Sequence, residues 1–82
     1  MSKDKTRQAI CAAVARILKE ERNRRGLSLV TVATKAGLSR QMISFVEQET
    51  RNPTLDSLLR ICDALDVDIQ TVLKRATREA QQ

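Results

Sequence analysis

The sequence has no histidine, tryptophan or tyrosine, and among its 82 residues it has one phenylalanine, one proline, two glycines and two cysteines. The lack of histidine excludes a His-based catalytic triad and a histidine-containing zinc protease site. Two thiols are too few for a closed zinc site, so Cys11 and Cys62 are expected to be small buried apolar residues. No glycine-rich phosphate loop occurs either. The sequence therefore predicts neither an enzyme nor a metal or cofactor site.

The shortage of aromatic residues also bears on the kind of partner. Proteins that bind single-stranded nucleic acids stack bases on several aromatic side chains, and Phe45 alone cannot supply such a platform. The apolar run over residues 9–15 follows a basic N-terminus, as in a signal peptide. Arg16 and Lys19 interrupt it at the shortest length such signals use, far below a membrane span. The interpretation is a cytoplasmic protein without a membrane or RNA partner.

Net charge and chain length leave several classes of protein open. Fifteen basic residues against ten acidic ones give a net charge of +5, which fits a polyanionic partner but also many ordinary soluble proteins. A chain of this length makes one domain, 1–82, and buries a smaller share of its surface than larger proteins do. A dimer is therefore plausible on size alone.

Apolar residues recur at intervals of three and four throughout, which predicts an all-α domain. We expect a first helix over about 4–25, a helix-turn-helix over 28–48 and two further helices over about 54–77. Gly26 and Gly37 lie where helices end, and Ser28 and Ser39 lie where the next ones begin. Residues 78–82 have little apolar anchorage and are expected to fray.

The central stretch is the most informative. Its first segment places Leu29, Val32 and Ala36 on one helix face, and its second buries Ile43 and Val46. The second segment thus carries a set of mostly polar side chains on its exposed face: Arg40, Gln41, Ser44, Phe45 and Gln48. A short helix, a glycine turn and a second helix with a polar face form a helix-turn-helix.

Several short motifs accompany this pattern: Val32-Ala33, Ala36-Gly37-Leu38-Ser39-Arg40, Ile43-Ser44, Val46-Glu47, Arg51-Asn52-Pro53-Thr54 and Ala64-Leu65. Through them, residues 17–73 resemble the Xre family of helix-turn-helix transcriptional regulators, of the phage Cro and repressor type. The resemblance implies a five-helix, lambda-repressor-like domain that binds double-stranded DNA as a homodimer on a near-palindromic operator. No small-molecule ligand is expected, since 82 residues leave no room for a ligand domain.

The resemblance also implies roles for particular residues. Base-reading positions fall on Arg40, Gln41, Ser44 and Phe45, where arginine suits guanine, glutamine suits adenine and phenylalanine could pack on a thymine methyl group. Positions that contact the DNA backbone fall on Ser28, Leu29, Ser39, Gln48, Arg51, Asn52 and Thr54. An ion pair is expected between Arg22 and Glu47. Two departures from the family pattern are Leu29, where glutamine is common, and Glu49, where glycine often occurs.

The dimer contact is expected at Ile61, Ile69 and Val72, which a five-helix core does not obviously cover. Within the family, the length resembles the controller proteins of restriction–modification systems, while small phage repressors and antitoxins are equally compact. A different class, a protein-binding adaptor with the same fold, would present an apolar or acidic face on the second helix of the motif. Arg40 and Gln41 argue against it, and Phe45 leans towards it.

Overall fold

The computed structural model describes residues 3–81. These residues form five α-helices and no strand: α1 (Lys3–Arg24), α2 (Leu29–Ala36), α3 (Arg40–Glu47), α4 (Leu55–Leu65) and α5 (Ile69–Ala80). The prediction of a five-helix, all-α fold with the helix-turn-helix at α2 and α3 is confirmed. Within the described residues, no helix has the length and apolar character needed to cross a membrane.

Local sequence signals set the helix boundaries. Each of the four later helices begins at a side chain that accepts a hydrogen bond from a first-turn amide: Ser28 from Thr31, Ser39 from Met42, Thr54 from Ser57 and Asp68 from Gln70. Such caps satisfy amides that the helix itself leaves without acceptors. Gly37 ends α2 with φ 68°, and Asp66 ends α4 in the same left-handed conformation with φ 57°. Asp66 thus takes the place that glycine usually fills.

The core holds the helix-turn-helix at a fixed angle. α1 packs along α5 and also contacts α3 and α4, while α2 packs against both α3 and α4. The largest fully buried side chains include Ile17 and Leu18 of α1, Ile43 of α3 and Leu65 of α4. Arg60 of α4 adds a polar tie, because its Nη1 donates to the carbonyl oxygen of Ala36 at the end of α2 (3.4 Å).

The structure corrects the predicted dimer surface. Ile61 and Val72 are only 2% and 3% exposed and belong to the core cluster of the single chain, so neither is available to a partner. Ile69 is half-buried and packs against that cluster. The prediction failed because α5 packs along α1, and α4 packs against α2 and α1, so the helix faces that carry Val72 and Ile61 are covered within the single chain. The exposed apolar side chains of this region are instead Leu55, Leu59 and Leu73.

α5 also extends further along the chain than expected. The helix runs to Ala80, and Glu79 forms ion pairs with Arg16 of α1 and with Arg75. Arg75 also pairs with Glu20 of α1 (Nη2 to Oε2, 2.8 Å). The Arg16 guanidinium holds the pKa of Glu79 below its ordinary value, because it donates to the ionised carboxylate. The helix therefore extends beyond its predicted end at about residue 77, and Gln82 lies outside the described residues.

Candidate nucleic-acid interface

The exposed face of α3 is built on two buried anchors. Ile43 and Val46 are 1% and 2% exposed, so the helix is fixed against the core by one side. Arg40 and Gln41 begin the helix and are exposed. Within residues 3–81 their side chains make no hydrogen bond or ion pair, which leaves all their polar atoms available to a ligand. The structure therefore places both predicted base readers where a ligand can reach them.

Ser44 and Gln48, one helical turn apart, contact each other. The Gln48 side-chain amide donates to the Ser44 hydroxyl oxygen (Nε2 to Oγ, 3.1 Å). Ser44 is half-buried, while Gln48 is exposed just beyond the helix. Because a hydroxyl group can accept and donate at once, Ser44 keeps a proton to donate outward. These two predicted contact residues thus form one polar unit on the face of α3.

Phe45 does not stand alone on this face. The guanidinium carbon of Arg51 lies 5.3 Å from the centroid of the Phe45 ring, within the range of a cation–π contact. The Phe45 carbonyl oxygen also accepts hydrogen bonds from the amides of Thr50 (3.0 Å) and Arg51 (3.4 Å). The periodicity of α3 does not predict this contact, because the contact joins a helix to the loop that follows.

The serine and threonine hydroxyls predicted to contact the DNA backbone are occupied by helix capping. Ser28 Oγ accepts from the Thr31 amide (3.0 Å) and contacts Thr31 Oγ1 (2.9 Å). Ser39 and Thr54 cap α3 and α4 in the same way. The first two amides of each helix have no intrahelical acceptor and carry the positive end of the helix dipole. Leu29 is half-buried against the core, so at this position only its amide can serve an anion.

The loop after α3 carries Arg51 and Asn52, both exposed. They line a groove of about 540 Å³ between this loop and α1, together with Glu49 and Arg7. Glu49 adopts a left-handed conformation with φ 62°, at the position where the family often has glycine. An acidic side chain therefore lies beside the two predicted backbone contacts.

Arg22 and Glu47 form the ion pair that the resemblance implied. The Arg22 guanidinium donates twice to the Glu47 carboxylate, from Nε (2.7 Å) and from Nη2 (3.0 Å), and its Nη1 donates to the Leu27 carbonyl oxygen (2.9 Å). The two side chains are only 14% and 8% exposed. Glu47 raises the pKa of Arg22 above its ordinary value by accepting these hydrogen bonds. The pair fastens the end of α3 to α1 and to the loop before α2.

Known protein families include one with the helix-turn-helix arrangement described above. Residues 18–72 match the helix-turn-helix family model, and the chain belongs to that family. It is a DNA-binding transcriptional regulator of the Xre-like type, as the sequence predicted.

Its solved structural relatives include controller proteins of restriction–modification systems. The controller protein C.AhdI from Aeromonas hydrophila is 32% identical, with a TM-score of 0.71 over 77% of this chain and 94% of that one. Wild-type C.Esp1396I is 27% identical, with a TM-score of 0.79 over 89% of this chain and 96% of that one. The C.Esp1396I tetramer in complex with its natural 35 base-pair operator gives the same values. Among curated protein sequences, none matches this chain.

Proposed function

We propose that this regulator is a restriction–modification controller protein that acts as a homodimer on a near-palindromic operator in the cytoplasm and has no catalytic role. The observation that carries the proposal is the exposed start of α3. There, Arg40 and Gln41 have polar side-chain atoms without protein partners among the described residues, on a helix that the Arg22–Glu47 ion pair holds in place. The likeness to C.AhdI and C.Esp1396I supports the controller role. Genes for a restriction endonuclease and a methyltransferase next to this gene are the expected genomic context.

Sequence reading in the major groove follows from side-chain chemistry. The Arg40 guanidinium can donate two hydrogen bonds to O6 and N7 of guanine, and the Gln41 amide can pair with N6 and N7 of adenine. Ser44 can donate to an acceptor on a third base pair. An adaptor with an apolar or acidic docking helix would not need these groups.

The DNA backbone would be held on both sides of α3. The free amides at Leu29 and at Leu55, which open α2 and α4, can each donate to a phosphate oxygen. Arg51 and Asn52 would grip the backbone from the loop after α3, and Gln48 would extend the polar unit formed with Ser44. Ser28, Ser39 and Thr54 would act indirectly, by fixing the helix starts.

The dimer contact would use the exposed leucines of α4 and α5. Leu55 is 69% exposed, and Leu59 and Leu73 are each 40% exposed. Leu55 and Leu59 are four residues apart on α4 and so share a face. Two protomers would present two α3 helices to half-sites one turn of DNA apart. The C.Esp1396I tetramer on its operator supports assembly of this kind.

Sedimentation of Leu59→Glu tests the dimer. The variant should shift towards monomer at micromolar concentration, because the charge would be buried at the contact. Val30→Glu is the matched control, since Val30 is an exposed apolar residue of α2. A wild-type protein that is monomeric at every concentration would contradict the proposed dimer.

The reading role is tested by a binding titration. An operator is first selected with the wild-type protein from random duplexes, and each single-base variant of one half-site is then titrated. Arg40→Ala and Gln41→Ala should each weaken cognate binding by about 1–3 kcal/mol and relax preference at one or two base pairs. Lys74→Ala, on α5, should leave the profile unchanged. If both alanine variants keep the wild-type profile, α3 is not the reading helix.

A further inference from the structure

We propose that Phe45 is a positioning residue that holds the Arg51 guanidinium ready for a DNA phosphate, and that it does not read a base. The proposal rests on the proposed contact of Arg51 with the DNA backbone. It replaces the role in base reading that the resemblance implied for Phe45.

Phe45 contacts Arg51 in two separate ways, through its ring and through its backbone carbonyl oxygen. The ring lies under the guanidinium group, with 5.3 Å between its centroid and Cζ. The Phe45 carbonyl oxygen accepts the Arg51 amide at 3.4 Å and the Thr50 amide at 3.0 Å. One residue of α3 therefore fixes both the turn that leads to Arg51 and the side chain of Arg51.

Neither residue has another partner that would explain its placement. Phe45 is half-buried, yet it belongs neither to the core cluster nor to the partly buried residues packed against it. Among the described residues, seven of the ten arginines form ion pairs: Arg7, Arg16, Arg22, Arg24, Arg25, Arg60 and Arg75. Within residues 3–81, Arg51 forms no ion pair and no side-chain hydrogen bond. Its charge is therefore left for a ligand.

Stacking and phosphate binding use different parts of the guanidinium group. A guanidinium group over a ring can present its flat face to the ring while its five N–H donors point outward in its own plane. A stacked arginine can thus donate two hydrogen bonds to one phosphate. The stack also restricts the side chain before binding, so less rotamer freedom is lost when the phosphate is bound.

The proposal predicts a defined pattern of affinities. Phe45→Leu keeps an apolar side chain but removes the aromatic face. It should weaken binding to the operator and to an unrelated duplex alike, by about two- to five-fold, the range that an exposed cation–π contact supports. Phe45→Trp keeps an aromatic face and should bind like the wild type. The base-preference profile should be unchanged in both variants.

The experiment is a double-mutant cycle with Phe45→Leu, Arg51→Ala and the double variant. Each protein is titrated on both duplexes over a series of salt concentrations, with circular dichroism as the test of folding. Arg51→Ala should make the salt slope shallower by roughly one unit, as loss of one phosphate contact predicts. The double variant should bind no more weakly than Arg51→Ala alone. Lys74→Ala, an exposed residue of α5, controls for a general loss of positive charge.

Two kinds of result would overturn the proposal, and they are distinguishable. An unchanged salt slope in Arg51→Ala would contradict the proposed phosphate contact of Arg51, and therefore also the positioning role of Phe45. If Arg51→Ala makes the salt slope shallower as expected, the phosphate contact of Arg51 is supported. If Phe45→Leu then alters the base-preference profile, or if its loss of affinity adds to that of Arg51→Ala, Phe45 acts independently of Arg51 and the positioning role is refuted. If Phe45→Leu binds both duplexes with wild-type affinity, the positioning role of Phe45 is refuted, while the phosphate contact of Arg51 is not.

Discussion

Removal of one partner of the Arg22–Glu47 ion pair should be the most damaging single change outside the apolar core. Arg22→Met takes away two hydrogen bonds, at 2.7 and 3.0 Å, from a carboxylate that is only 8% exposed. Hydrogen bonds to charged groups contribute about 1.5–3 kcal/mol, and a stranded buried charge costs about 3–5 kcal/mol. Because the pair keeps some contact with water, we expect a loss at the lower end, about 3 kcal/mol.

The opposite truncation should cost less. In Glu47→Leu, the Arg22 guanidinium keeps its hydrogen bond to the Leu27 carbonyl oxygen at 2.9 Å and is 14% exposed. We therefore expect a loss of about 1–2 kcal/mol. The double variant, Arg22→Met with Glu47→Leu, contains no stranded charge and should also lie about 1–2 kcal/mol below the wild type. That value is well short of the sum of the two single losses.

Urea unfolding followed by far-ultraviolet circular dichroism measures these differences, because the chain has no tryptophan or tyrosine for fluorescence. A domain of this size has an unfolding free energy of about 4–12 kcal/mol, so a loss of 3 is a large fraction of it. Arg24→Met is the matched control, since Arg24 is 69% exposed in its pair with Glu21 and should change stability by less than about 0.5 kcal/mol. Strict additivity of the two single losses would refute the reasoning.

Three further changes test other parts of the structure. Glu49→Gly should raise the unfolding free energy by about 0.5–1 kcal/mol, because glycine adopts φ 62° without steric cost; a lower stability in urea unfolding would show that the glutamate side chain is needed. Gly37→Ala should lower it by about 1–2 kcal/mol, since φ is 68° and the added Cβ would lie 3.2 Å from Arg60 Nη1; unchanged stability would argue against strain at this turn. Burial raises the pKa of Cys62 from 9.0 to about 11, so its contribution to stability is complete below pH 9 and is lost as pH rises towards 11. In a Cys62→Ala variant, the unfolding free energy should fall less between pH 9 and 11 than in the wild type. A thiol reagent at pH 8 should modify the half-buried Cys11 before the buried Cys62, and equal rates of modification would contradict the burial of Cys62.

The sequence by itself determined the helices and their ends. Ser28 and Ser39 cap helices as predicted, because a cap depends on a side chain and an amide three residues apart. Gly37 could be identified as a helix end for a similarly local reason, since glycine adopts the left-handed conformation that ends a helix. The helical period also placed Ile43 and Val46 inside and Arg40 and Gln41 outside, since that pattern needs only one helix. The Arg22–Glu47 contact came from the family resemblance and not from local spacing.

Only the tertiary structure decided which apolar side chains the neighbouring helices cover. Ile61 and Val72 looked surplus to a small core, yet α4 packs against α2 and α1, and α5 packs along α1, so both residues are buried while Leu73 stays exposed. The same packing brings Glu79 to Arg16, which extends α5 beyond its expected end. The cation–π contact of Phe45 with Arg51 depends on the path of the loop after α3. Such contacts are set by the angles between elements, and these angles depend on how the whole set of side chains packs, which no periodicity within one helix records.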